Sequence, residues 1–237
     1  MPTLLFDHGT RPGSTGLLGE TLREYGHRMR VVRLASGDAL PPDLDDVDAI
    51  VIGDGGQTLL SGAPAWAEGE MALLREAHGR QIPICGLGFG ARLLAKALGG
   101  EIVSGEDAGW RDLKLNFPGR EDPLYKGIPW TLPQVIRQSE SIAKLPDGGT
   151  PYGSTAVAGT KPVTRSFAVG VFTFGFEHKW WLDQSLAQTE GSGDIASGWS
   201  THGAQSMRFG RRLAESIALY LMPVDRVHAG RVKDLHY

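Results

Sequence analysis

Glycines placed at the ends of apolar runs constrain this chain more than any other feature. There are 33 of them in 237 residues, dispersed without the fixed period of collagen or of low-complexity sequence. Two groups directly follow short apolar runs: Gly53, Gly55 and Gly56, and Gly86, Gly88 and Gly90. Because glycine tolerates positive φ angles and close backbone contact, this placement predicts tight turns that lead from buried strands into helices.

Hydrophobic periodicity between these turns alternates strand and helix candidates through the first hundred residues. The strand candidates are 3–6, 29–34, 47–52 and 82–85, and the helix candidates are 18–25, 65–78 and 91–98. Gly26 can cap the first of these helices, and Gly99 and Gly100 close the last one. The order predicts an α/β fold with a mostly parallel central sheet and helices on both faces.

The second half of the chain has a different character. Short β-like runs at 135–137, 155–158 and 167–174 predict antiparallel strands at the edge of the sheet. Residues 190–198 are rich in glycine and serine and predict a mobile loop, whereas 208–221 has the pattern of an amphipathic helix. No internal repeat or linker is evident, so we expect a single domain spanning 1–237.

Composition and charge exclude several classes of function. The formal net charge of -3 gives no electrostatic case for binding nucleic acid. No apolar run reaches the roughly 18 residues of a membrane span, and the first residues lack the pattern of a signal peptide. One cysteine cannot form an internal disulfide, which agrees with a reducing compartment. We therefore expect a cytoplasmic protein with no membrane partner.

The segment from Pro83 to Ala95, Pro-Ile-Cys-Gly-Leu-Gly-Phe-Gly-Ala-Arg-Leu-Leu-Ala, resembles a known catalytic turn. It is similar to the nucleophile elbow of class I glutamine amidotransferases, Pro-x-x-Gly-Ile-Cys-x-Gly-x-Gln-Leu-Leu-Ala. The proline, both glycines and the Leu-Leu-Ala align without a gap. In this register Gly88 stands at the position of the nucleophilic cysteine, and Arg92 stands at the position of the glutamine.

Further matches keep the order of that family and extend the resemblance over residues 3–181. They are 48–56, Gly109-Trp110, 122–127, 138–140, 145–148 and 166–181. The resemblance implies a flavodoxin-like class I amidotransferase sandwich, mostly parallel with an antiparallel excursion. It also implies that the Gly55-Gly56 turn supplies an oxyanion amide, and that a synthase partner receives ammonia from active members.

Three positions that are catalytic in the family are degenerate here. Besides Gly88, Lys179 replaces the histidine and Trp181 replaces the glutamate. A shifted register pairs Glu177 with the glutamate but then puts Gly175 at the histidine. Because the reaction needs a thiolate and an imidazole, we expect no hydrolysis of glutamine. Cys85 lies on the preceding strand, where we expect a buried and inert thiol.

A second use of the former cleft is the binding of a small anion. Free amides at the start of the elbow helix, together with Lys179 and Arg92, would attract one, although each cation can equally be a solvated or ion-paired surface residue. The candidate ligand-binding residues are Gly55, Gly56, Gly88, Phe89, Arg92, Gln138, Glu140 and Lys179. No metal site and no cofactor are predicted.

Two classes of function remain open from the sequence. The favoured one is a catalytically inactive amidotransferase-like subunit or binding module, associated with a synthase-type partner or with copies of itself. The alternative is an enzyme of altered chemistry, a hydrolase or transferase, that uses Lys179, Glu140, His8 or Glu177. Three roles are open for Trp180 and Trp181, which can fill the emptied cleft, form an interface or pack in the core. The same three roles are open for Trp199.

A dinucleotide-binding turn is less favoured. The glycines around Gly88 follow a strand and open a helix, but they read Gly-x-Gly-x-Gly rather than Gly-x-Gly-x-x-Gly. The acid expected about twenty residues later would be Glu106 or Asp107, neither of which stands out from its surroundings.

Overall fold

A computed structural model describes residues 2–9, 15–156, 161–182 and 193–222, and these residues form one nine-stranded sheet with its helices. The strands are β1 (Thr3–Phe6), β2 (Met29–Val32), β3 (Ala49–Ile52), β4 (Ile84–Leu87), β5 (Glu101–Leu115), β6 (Thr131–Lys144), β7 (Gly149–Thr155), β8 (Val163–Val169) and β9 (Thr173–Phe176). The helices are α1 (Gly16–Glu24), α2 (Ala67–Gly79), α3 (Phe89–Ala97), α4 (Phe117–Glu121) and α5 (Gly193–Ser216). The strand order is β2-β1-β3-β4-β9-β8-β7-β5-β6.

The parallel half of the sheet comprises β2, β1, β3, β4 and β9. Its central strands are apolar on both sides, because helices cover both faces. Leu5 and Val51 face a core shared with α1 and α5, whereas Leu4 and Ile50 face a core shared with α2 and α3. The expected α/β sandwich is confirmed.

The antiparallel half consists of the long β5–β6 pair together with β7 and β8. It confirms the excursion expected from the sequence, with one difference. The run 167–174 is not one strand, because Gly170 takes a φ of +66° and turns the chain from β8 into β9. In the 155–158 run, β7 ends at Thr155, and residues 157–158 lie outside the described residues.

The expectation of a loop at 190–198 is wrong for its described part. The helix α5 already begins at Gly193 and continues to Ser216, followed by a π-helical turn at Ile217–Leu221. Its small residues serve packing, because a Cβ at Gly198 would lie 2.4 Å from the Trp110 ring. Residues 190–192 lie outside the described residues. Among the described helices, none has the length and apolar character needed to cross a bilayer.

Candidate functional site

The turn between β4 and α3 has the geometry of a sharp elbow. Gly88 adopts φ +54° and ψ −111°, and the helix begins at the next residue, Phe89. On the inner side, a Cβ at Gly90 would lie 2.5 Å from the Ile52 carbonyl oxygen, so only glycine allows α3 to pack this closely on the sheet. The glycine pattern is therefore explained by positive φ at one position and close approach at another.

The side-chain space above Gly88 is filled by Asp54, which follows β3. A Cβ built on Gly88 would lie only 2.0 Å from the Asp54 Oδ1 atom. That oxygen accepts hydrogen bonds from the backbone amides of Phe89 and Gly55, each at 2.9 Å. The carboxylate of Asp54 thus occupies the place where a residue other than glycine at position 88 would project its side chain.

Lys179, three residues beyond β9, completes this arrangement. Its ammonium contacts Oδ2 of Asp54, and both side chains are largely buried. Burial alone would raise the pKa of Asp54, but Lys179, the Phe89 amide and the nearby Arg92 outweigh it and hold the pKa below its ordinary value. The elbow therefore contains an internal, ionised carboxylate–ammonium pair.

Arg92 points to a second buried carboxylate, that of Glu177. The closest nitrogen–oxygen distances to Glu177 are 3.9 Å from Arg92 and 3.8 Å from Arg165, beyond hydrogen-bonding distance. Burial raises the pKa of Glu177 to about 7, although both arginines and the Ile142 amide oppose the rise. Arg165 has a closer partner in Asp107. Glu177 is thus a buried acid whose arginine neighbours compensate its charge only in part.

The polar residues on β6 support the neighbouring turn. Glu140 accepts hydrogen bonds from the backbone amides of Leu59, at 2.9 Å, and Leu60, at 2.8 Å. Gln138 donates to the Ser141 hydroxyl at 2.6 Å. Glu140 therefore ties β6 to the loop that begins at the glycine turn after β3.

The eight ligand-binding candidates therefore divide into groups. Gly55, Gly88, Phe89 and Lys179 meet at the Asp54 carboxylate. Arg92 lies beside this group and faces Glu177, whereas Glu140 and Gln138 have the local partners described above. The exposed Gly56 has open space around its Cβ position.

The match to a known protein family covers more than half of the chain. The model of the glutamine amidotransferase class-I family matches residues 11–162. The chain belongs to this family. The matched range contains the amidotransferase elbow and the Asp54 turn, whereas Lys179 lies beyond its end. The family resemblance of the Pro83–Ala95 segment is confirmed.

Curated relatives agree with this membership. A subunit of the glutamine-hydrolyzing GMP synthase of Archaeoglobus fulgidus is 29% identical over 133 residues, which are 56% of this chain and 65% of that protein. The corresponding subunit of Methanothermobacter thermautotrophicus is 29% identical over 126 residues, 52% of this chain and 67% of that protein. The chain thus spans about two thirds of the length of these relatives.

Two solved structures share the fold over nearly the whole chain. A glutamine amidotransferase from Methylobacillus flagellatus superposes with a TM-score of 0.79 at 16% identity, covering 94% of this chain and 96% of that one. A glutamine amidotransferase from Thermotoga maritima gives a TM-score of 0.68 at 18% identity, covering 93% of both chains. The flavodoxin-like amidotransferase sandwich expected from the sequence is confirmed.

Within this amidotransferase fold, the aromatic residues after β9 belong to the core. Trp180 and Trp181 are both 2% exposed and pack edge to face against each other. The Trp181 ring also lies 5.8 Å from the Lys179 ammonium, so it forms one wall beside the ion pair. Trp199 is half-buried on α5, against Trp110. Core packing therefore accounts for the first two residues.

Other groups that are candidates for chemistry in this family member are buried. His8 is buried, hydrogen-bonds Glu70 at 3.1 Å and stacks on Trp66 at 4.6 Å. Cys85 is buried, and desolvation raises the pKa of its thiol, so the thiolate is disfavoured. Burial, together with Arg165, lowers the pKa of His178 to about 3 and keeps its imidazole neutral. Within the described ranges, no group of three or more metal-ligating side chains is arranged around a common point.

Sequence reasoning missed Asp54. Its only signal was its position as the single acidic residue of the Gly53-Asp54-Gly55-Gly56 turn. Its partner Lys179 lies 125 residues away in sequence, so the pairing depends on the fold and no local sequence pattern predicts it.

Proposed function

We propose that this amidotransferase-family chain does not hydrolyse glutamine, and that it acts as a subunit or binding module. The observation that carries the proposal is the Asp54 carboxylate above Gly88. It fills the space of the missing nucleophile and engages the two amides that would stabilise an oxyanion.

Two losses support the absence of hydrolysis. Glycine at position 88 has no nucleophile, and removing the nucleophile of such a constellation costs on the order of 10⁶ in rate. The oxyanion amides already hold an internal anion, and the loss of one oxyanion donor alone costs about 10²–10³. A glutamine carbonyl would have to displace Asp54 and break its pair with Lys179 before it could use these amides.

The identity of the relatives supports the proposed association with another protein chain. Two of them are subunits of a GMP synthase, and a protein of that kind works with another chain. We propose that this chain likewise associates with a synthase-type protein or with copies of itself, in the cytoplasm. A small external anion would compete with the Asp54 carboxylate, so anion binding at the elbow requires Asp54 to move.

An enzyme of altered chemistry is the second candidate. The observation that favours it is Glu177, since a carboxyl group with a pKa of about 7 suits general acid–base catalysis at neutral pH. Its complete burial counts against this role, because a substrate cannot reach it without a rearrangement.

The test of the leading proposal is ammonia release from glutamine by the purified chain, beside its Cys85→Ala variant. We expect both proteins to match the rate without enzyme. Release by the unsubstituted protein that disappears in Cys85→Ala would overturn the proposal and make Cys85 the nucleophile. Release by both proteins would overturn it in favour of different chemistry. Sedimentation of the chain, alone and from its native extract, tests the partner: a monomer in both conditions contradicts the subunit role.

A further inference from the structure

The elbow brings together an acyl carbon, an amine and hydrogen-bond donors for an oxyanion, which are the three components needed to form an amide bond. The acyl carbon is Cγ of Asp54, and the amine is Nζ of Lys179, which contacts Oδ2 of the same carboxylate. The other oxygen, Oδ1, accepts hydrogen bonds from two backbone amides, of Phe89 and Gly55, each at 2.9 Å. Donors placed in this way stabilise the oxyanion that forms when a nucleophile attacks an acyl carbon.

We propose that Asp54 and Lys179 condense to an intramolecular isopeptide bond. The inference rests on the internally closed elbow of the proposed function and deepens it, because a covalent link makes the closure permanent. The link would join the turn after β3 to the segment after β9, across the intervening β4–α3 elbow.

The step balances without an oxidant or a cofactor. A proton passes from the Lys179 ammonium to Oδ2 of Asp54, and the freed amine attacks Cγ to form the carbon–nitrogen bond. Negative charge develops on Oδ1, against the Phe89 and Gly55 amides. A second proton then moves from the nitrogen to Oδ2, the bond between Cγ and Oδ2 breaks, and water leaves. A carboxylate and an ammonium thus become an amide and one water molecule.

Burial favours the product over the pair of ions. The two side chains are 11% and 8% exposed for Asp54 and Lys179, so both charges carry a desolvation cost that a neutral amide does not. Holding two reacting groups in a well-oriented contact gives effective concentrations of up to about 10⁵–10⁸ M, which lowers the barrier to their reaction. The former Oδ1 keeps both backbone hydrogen bonds as the amide oxygen.

The same environment makes the step slow. Lys179, the Phe89 amide and Arg92 stabilise the ionised carboxylate, so the initial proton transfer to Asp54 is uphill. We therefore place condensation after folding, when the ion pair is already assembled, and expect the linked fraction to grow on incubation of the folded protein.

Mass spectrometry of the intact, denatured protein tests the proposal. Asp54 precedes Gly55, and a succinimide at this Asp-Gly step would lose the same mass as the link, so peptide mapping is required. We expect a mass one water molecule below that of the sequence, and a branched peptide that contains both residue 54 and residue 179. The control Lys179→Arg keeps the cation but cannot form the amide under these conditions, and should show the full mass. Asp54→Asn should lose ammonia instead and give the same branched peptide.

The outcomes separate this inference from the proposed function. A full-length mass before and after incubation overturns the isopeptide bond, and so does a water loss confined to a linear peptide around Asp54. Either result leaves the ionic closure of the elbow intact, because that closure is tested by glutamine hydrolysis.

Discussion

The buried carboxyl group of Glu177 gives a prediction whose sign depends on pH. Its pKa is about 7 in the folded protein, against an ordinary value of 4.5, and burial is the main cause. The pKa of Glu177 is higher in the folded protein than in the unfolded chain. Its stabilising contribution to the free energy of unfolding is therefore fully present below pH 4.5 and is lost as the pH rises through 7. Ionised Glu177 therefore destabilises the fold at alkaline pH, despite the two arginines beside it.

The substitution Glu177→Gln isolates this effect, since glutamine has nearly the same shape and cannot ionise. The difference between a pKa of 4.5 and one of about 7 corresponds to about 3 kcal/mol, at 1.36 kcal/mol for a tenfold change in proton affinity. We expect the variant and the original protein to unfold with nearly equal free energies at about pH 4.5. At about pH 8 the variant should be the more stable of the two, by up to about 3 kcal/mol.

The contribution of His178 to the free energy of unfolding depends on pH in the opposite sense, and it must be separated from the contribution of Glu177. Its folded pKa of about 3 lies below the ordinary 6.5, so its contribution is present above pH 6.5 and is lost as the pH falls toward 3. In the original protein the two slopes oppose each other between pH 4.5 and 6.5. Glu177→Gln removes the Glu177 slope, so between pH 4.5 and 6.5 the stability of the variant should rise more steeply with pH, or fall less, than that of the original protein.

Urea unfolding followed by tryptophan fluorescence, from about pH 4 to about pH 8.5, measures these free energies directly. The control is Glu24→Gln, which changes an exposed acid on α1 and should shift stability by less than about 0.5 kcal/mol at every pH. A Glu177→Gln protein that is less stable than the original at alkaline pH would refute the reasoning, because Glu177 would then be a stabilising ion-pair partner.

Three further substitutions test the elbow, the loop that follows β3 and the packing of α5, each by thermal or urea unfolding. Gly88→Ala should destabilise the protein by about 2–4 kcal/mol, because the new Cβ meets Asp54 and the φ angle is positive. Asp54→Gly is itself destabilising, since it leaves the buried Lys179 without this carboxylate, so the double substitution should cost less than the sum of the two single ones, and strict additivity would contradict the overlap. Glu140→Ala should cost about 1–3 kcal/mol by leaving the Leu59 and Leu60 amides without their acceptor, whereas an unchanged stability would show that the carboxylate does not hold this loop. Gly198→Val should cost about 1–3 kcal/mol through its overlap with Trp110, with Ser197→Val as the exposed control; equal effects of the two would argue against close packing of α5.

Much of the fold follows from local sequence signals. The glycine groups predict the two turns because their conformation and close packing exclude larger residues. The alternating apolar runs predict the parallel half for a similar reason, since strands buried on both faces must be apolar throughout. Hydrophobicity does not predict the turn at Gly170 between β8 and β9, because Val171 and Phe172 are apolar although they lie exposed in that turn.

The candidate site is less accessible to sequence reasoning. A family pattern marks the positions of Gly88 and Lys179 as catalytic, whereas Asp54 lies in a matched stretch but at no catalytic position. The pairing of Asp54 with Lys179 depends on β3, β4 and β9 lying side by side, and no local signal encodes this contact. The same holds for Arg165 on β8 and Glu177 directly after β9, two buried charged residues that the antiparallel pairing of β8 with β9 brings together.

A high-resolution crystal structure of the chain with glutamine tests the closed elbow most directly. We expect the Asp54 side chain to accept both backbone amides, to contact Lys179, and to leave no glutamine above Gly88. Density for a glutamine carbonyl on the Phe89 and Gly55 amides, with Asp54 turned away, would contradict the account.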